Sequence, residues 1–145
     1  DLTFHKLEKK INKVIDEYDK NKGMTIGLSK DLGIITHYIA DYFTFPHNIE
    51  YPGTMTEHIH YEAQLKVDFR EFVQKMKEKH AHFQEVNMRS ADEICAFIKK
   101  CHTEYLHAVK SVENDCRYIL QICAQVVGAI LHLLQQNSMP LGCYM

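Results

Sequence analysis

The scarcity of helix-breaking residues constrains this chain more than any other feature. Three prolines and six glycines punctuate 145 residues. Apolar residues recur at intervals of three and four, without the alternation that a half-buried strand requires. The chain therefore reads as all-α. Leu7, Ile11, Val14, Ile15 and Tyr18 lie on one stripe of a helix expected from Thr3 to Lys20. Asn21-Lys22-Gly23 should stop it, since glycine accepts the left-handed cap conformation. A second helix is expected from Thr25 or Ser29 to Phe43, carrying Leu28, Leu32, Ile35, Ile39 and Phe43 inward. Pro46 and the Tyr51-Pro52-Gly53 turn make the next connection. A third helix is expected from Thr54 to Phe83, with Leu65, Phe69, Phe72, Val73 and Met76 inward. Ser90-Ala91-Asp92-Glu93 is a capping box that opens a fourth.

This fourth helix has no evident stop before Asn137-Ser138-Met139-Pro140. Val109, Val112, Cys116, Ile119, Cys123, Val126, Ile130 and Leu133 keep a seven-residue repeat. Unbroken from residue 91 to 136, such a helix would be about 70 Å long, more than a compact bundle accommodates. Either it breaks near Ser111 to Asp115 and folds back as a short fifth helix, or it projects as a dimerising coil. The expected architecture is an antiparallel up-down-up-down four-helix bundle over residues 1–118. A C-terminal helical extension and tail occupies 119–145.

Charge narrows the partners. A net charge of −2 is spread along the chain with no basic stripe, so nucleic acid is not expected. The longest apolar run, Ile119 to Leu134, is interrupted by Gln121, Gln125 and His132 and does not read as a membrane span. The opening Asp1-Leu2-Thr3-Phe4-His5 lacks a signal-peptide pattern. Five cysteines, an odd number with no Cys-x-x-Cys pair, read as reduced thiols and favour a cytoplasmic location.

Ten histidines carry the functional signal. Three segments stand out: His37-Tyr-Ile-Ala-Asp41, His58-Ile-His-Tyr-Glu62 and His102-Thr-Glu-Tyr-Leu-His107. Residues four apart share a helix face, so the first two segments each offer an imidazole and a carboxylate to one point. Borderline divalent ions and iron favour that donor set. His5 on the first helix is a further candidate, whereas His47, His80, His82 and His132 fit no spacing. The bland reading is that such pairs are weak surface contacts, worth about 0.2–0.5 kcal/mol each.

In order and spacing, His5, His37, Asp41, His58, Glu62, His102 and His107 resemble hemerythrin and its bacterial relatives, whose pattern is H…HxxxE…HxxxH…HxxxxD. Asp1 to Asn12 is similar to that family's opening, and His37-Tyr, Tyr51-Pro52-Gly53 and His58-x-x-x-Glu62-x-x-Leu65 to its central signature. The likeness spans roughly residues 1–118. It implies a non-haem di-iron centre inside the bundle, with dioxygen or another small ligand bound at an open position. Asp41 departs from the pattern where a bridging Glu belongs, Glu62 where a His belongs, and His107 where a bridging Asp belongs. Anchored on flanking residues instead, the pattern places Phe4, Tyr105 and Lys110 at ligand positions.

The leading expectation is oxygen binding or sensing at this centre, with binding favoured over catalytic turnover. Two alternatives stand beside it. The bundle could be metal-free and act as a dimerisation or input module through its C-terminal helix, as Phe4, Tyr105 and Lys110 suggest. Alternatively, a mononuclear zinc ion could occupy His37, Asp41, His58 and Glu62.

Overall fold

The computed structural model describes residues 1–45 and 53–137. The connection expected at Pro46 and Tyr51-Pro52 lies outside them, as does the tail beyond Asn137. Among the described residues are five helices and no strand: α1 (Leu2–Glu17), α2 (Ile26–Tyr42), α3 (Met55–Glu78), α4 (Ala91–His107) and α5 (Val112–Asn137). Each of the five starts has a local cause in a capping side chain. Asp1 accepts from the amides of Thr3 and Phe4, Thr25 from Leu28, Thr54 from Glu57, and Ser90 from Glu93. These side chains satisfy amides that have no partner inside the helix. Glu93 also accepts from the Arg89 amide at 2.6 Å, so the capping box closes one residue earlier than its usual form.

The stops differ from expectation in two places. Helix α1 ends at Glu17, because Tyr18 is extended and the Asp19 carbonyl gathers the amides of Lys22 and Gly23 into a turn. Gly23 does take the left-handed conformation, at φ 61°, but inside that turn rather than as the helix cap. Helix α3 ends at Glu78, short of Phe83, and His80 turns the chain with φ 51°.

The long C-terminal helix breaks between α4 and α5. Ala108 is extended, and the Lys110 ammonium donates to the carbonyls of Tyr105 and Leu106, closing the end of α4. Ser111 Oγ then accepts from the Asn114 amide and starts α5. Val109, first of the heptad positions, is 78% exposed. The later ones, Cys116, Ile119, Val126, Ile130 and Leu133, are buried together with Ile122, Ala129 and Leu134. The heptad stripe is thus a face of this chain's own core. By length and composition α5 is apolar enough to cross a bilayer.

The core joins Phe4, Leu7, Ile11 and Val14 of α1 to Ile35, Ile39 and Tyr42 of α2, and both to Ile94, Ile98 and Tyr105 of α4 and the buried face of α5. Helix α1 packs on α2, α4 and α5, and α5 also touches α2, α3 and α4. Helix α3 stands apart. No residue of it is buried, it packs mainly on α5, and Leu65 and Phe69 reach the core only in part.

Candidate functional site

The end of α2, one face of α3 and Ile119 of α5 line a broadly open cavity of about 590 Å3. Its wall has two characters. Ala40, Ala63, Leu65, Phe69 and Ile119 are apolar, whereas Asp41, Glu62, Lys66 and Arg70 bring charge of both signs. The apolar stretch of α3 follows from its spacing, with Leu65 and Phe69 one turn apart. Lys66 and Arg70 repeat that interval one residue on.

Both carboxylates are paired with a histidine on their own helix. His37 Nε2 lies 3.4 Å from Asp41 Oδ2, and His58 Nε2 lies 3.0 Å from Glu62 Oε1. The pairs differ in setting: the His37 side chain is 71% exposed and that of His58 only 25%. Thus two of the sequence's three segments contribute to a single cavity, each through its carboxylate.

The other candidates lie elsewhere. His5 is exposed on α1, while its neighbour Phe4 is buried with its ring 5.7 Å from that of Tyr42. His102 is buried in the core, stacked on Tyr42 at 3.6 Å and edge-on to Phe43 at 5.5 Å. Burial pulls its imidazole down to about 4, against a weaker opposing hydrogen bond with the Tyr42 backbone. It is therefore neutral at ordinary pH. His107 is exposed and its Nδ1 lies 2.8 Å from the Thr103 carbonyl, the position of a helix-end cap. His132 is also exposed and bonds to Gln136 one turn on. His47 lies outside the described residues.

Sequence reasoning misses Asp115, a fully buried carboxylate in the first turn of α5. Its Oδ1 accepts from the Tyr105 hydroxyl at 2.6 Å. Its Oδ2 accepts from the Tyr61 hydroxyl at 2.7 Å and from the Phe45 amide at 2.8 Å. Burial pushes the Asp115 carboxyl up, and the three donors and Lys110 oppose that shift. Tyr105 is held well above the ordinary tyrosine range, by burial first and then by its bond to Asp115, so it remains a donor. An acidic residue in a first helical turn ordinarily reads as a solvated cap. Only the two tyrosines, 54 and 10 positions away in sequence, reveal otherwise.

The donor chemistry at the cavity suits zinc, which accepts imidazole nitrogen and carboxylate oxygen. None of the described cysteines lines the cavity. Cys95, Cys101 and Cys116 are unpaired and buried, their thiols pushed up to about 11, and partly buried Cys123 to about 12, in each case mainly by burial. Among the described residues no three His, Cys, Asp or Glu side chains gather as a metal cluster. Imidazole and carboxylate are both donor types that zinc accepts, but of His37, Asp41, His58 and Glu62 only Asp41 and Glu62 line the cavity.

A family model described as zinc dependent phospholipase C matches residues 1–112. No curated protein and no solved structure matches the chain. The family match overturns the hemerythrin resemblance, and with it the di-iron, oxygen-binding and oxygen-sensing expectation. The structure supplies the physical reason. A buried Phe4 and an outward His5 leave α1 without a donor in the core, and His102 and His107 lie apart from the cavity that Asp41 and Glu62 line. The cytoplasmic expectation rested on unpaired thiols and finds no support in the family.

Proposed function

This chain belongs to the zinc dependent phospholipase C family, and on that premise we propose that it hydrolyses a phospholipid in the α2–α3–α5 cavity. The zinc would be held by His37, Asp41, His58 and Glu62. One observation carries the reading: carboxylates from two separate His-paired turns line the same cavity, beside an apolar wall and two cations. The expected α1–α4 bundle is not the frame of this cavity, because α3 packs on α5 rather than between α2 and α4.

Water adds to the phosphorus, the bond to the glyceride oxygen breaks, and that oxygen takes the proton. The products are a diacylglycerol and a phosphorylated headgroup. Zinc held there would supply a nucleophilic water near neutral pH and Lewis-acid polarisation of the phosphoryl group. The protein's own groups do the rest. Lys66 and Arg70 offer the phosphate two cations on one face of α3, and the guanidinium can grip two oxygens at once. Leu65, Phe69 and Ile119 give the glyceride an apolar wall.

The test is release of phosphocholine from a short-chain phosphatidylcholine by the purified chain. The expected result is release that a chelator abolishes and added zinc restores. Asp41→Asn and Glu62→Gln should each abolish it, whereas Lys66→Ala with Arg70→Ala should raise KM. No release by zinc-supplemented protein, or full release by the Asp41→Asn variant, would overturn the reading.

A further inference from the structure

We infer that the exposed face of α3 docks on an anionic lipid bilayer, an inference whose choice of partner rests on the functional reading above. Helix α3 packs mainly on α5 and buries no residue, so its outer side takes no part in the core. At about 100° per residue, Met55, Ile59, Lys66, Arg70 and Lys77 fall within about 60° of one another on that side. All five are exposed, Met55 at 73% and Ile59 at 57%. Ala63 and Val67, also exposed, border them. A lone exposed apolar side chain needs no cause, but here two share a narrow face with three cations.

Charge points to the occupant. Most acids of α3 lie elsewhere: Glu57, Asp68, Glu71 and Glu78 fall about 100–180° from the centre of that face. Of the α3 acids only Glu62 adjoins it, where it lines the cavity with Asp41. Lys66 and Arg70, four apart, repel one another in water, a cost that an anionic surface converts into attraction. The chain's net charge of −2 offers no general pull toward such a surface, so the attraction must be local. Cations among apolar side chains are what an interfacial helix presents. The apolar groups enter the boundary between headgroups and acyl chains, and lysine and arginine meet the anionic headgroups. A protein partner fits less well, because protein interfaces are depleted of lysine at their core, and Lys66 and Lys77 stand in the middle of this face. The face is also continuous with the cavity, which Lys66 and Arg70 line. A bilayer seated on it thus lies at the cavity's mouth.

The test floats the full chain with vesicles of phosphatidylcholine alone and of phosphatidylcholine mixed with phosphatidylserine, with a chelator present so that no lipid is consumed. Binding should favour the phosphatidylserine vesicles and fade as salt rises. Each cation near an anionic surface is worth about fivefold in partitioning, so Lys77→Glu should weaken binding by roughly 5–25-fold. Lys75→Glu makes the same change of charge on another side of the same helix and should leave binding unaltered. Ile59→Gln changes no charge and should weaken binding roughly tenfold. Neither Lys77 nor Ile59 lines the cavity, so release of phosphocholine from monomeric short-chain lipid should be the same in both variants as in the wild type. Equal losses in Lys75→Glu and Lys77→Glu would trace binding to net charge and overturn the inference, as would equal binding to both vesicles. No flotation of the wild type overturns it whether or not short-chain lipid is hydrolysed. A dimer that Ile59→Gln disperses, in a chain that ignores vesicles, would make the face an interface between copies instead. Flotation with the expected variant pattern but no hydrolysis would overturn the functional reading and leave the docking face standing.

Discussion

Replacing His102 by Phe should make the chain's stability less sensitive to acid. In the fold the imidazole is 8% exposed, lies against Tyr42 and Phe43, and is held near 4. In the unfolded chain it titrates near its ordinary value of about 6.5. Between those values the unfolded state takes up a proton that the folded state refuses. The stabilising contribution is therefore complete above pH 6.5, is lost as pH falls, and changes no further below about 4. The full difference corresponds to about 3 kcal/mol, of which about 2 kcal/mol should be gone by pH 5. Phenylalanine keeps the ring stacked on Tyr42 and removes the titration. Urea unfolding of both proteins at steps from about pH 7.5 to about pH 4.5, a range that spans most of the titration, should show the wild type losing roughly 2–3 kcal/mol more than the variant on acidification. The variant's own packing cost appears as a constant offset. Parallel curves would refute the claim that burial governs His102, and a smaller acid loss in the wild type than in the variant would show the imidazolium to be favoured in the fold.

Truncating Ile98, fully buried in the core on α4, should cost about 2–5 kcal/mol and lower the urea midpoint with little change in slope. Ser90→Ala removes the acceptor of the Glu93 amide and should cost about 1 kcal/mol in thermal unfolding. Zinc at about a hundred times its dissociation constant should stabilise the chain by about 2.7 kcal/mol, an effect that chelation reverses and that Glu62→Gln removes. A melting temperature indifferent to zinc would count against a site formed only in the folded state.

The helices are legible in the sequence because their causes are local. The Ser90 capping box and the core stripe of Leu7, Ile11 and Val14 are readable from spacing alone, and the structure has them in place. The break at 108–111 is less so, because it depends on where the Lys110 side chain goes, and a heptad pattern runs through it undisturbed. The His-x-x-x-carboxylate pairs are legible as pairs but not as a family signature. Any metal-binding helix that uses one face produces that spacing, so it says what kind of donor is present and little about ancestry. The Asp115 cluster is invisible for the opposite reason. Its members come from α3, α4, α5 and the turn after α2, and nothing in the local sequence of one refers to the others.

The isolation of α3 separates two kinds of tolerance. The positions that keep the chain folded belong to α1, α2, α4 and α5, and substitutions there are judged by volume. The outward positions of α3 carry no such duty, so Lys66, Arg70 and Ala63 can vary without disturbing the fold. A lineage built on this arrangement can change what it recognises by editing one helix, while the residues that preserve its shape lie elsewhere and go on unaltered.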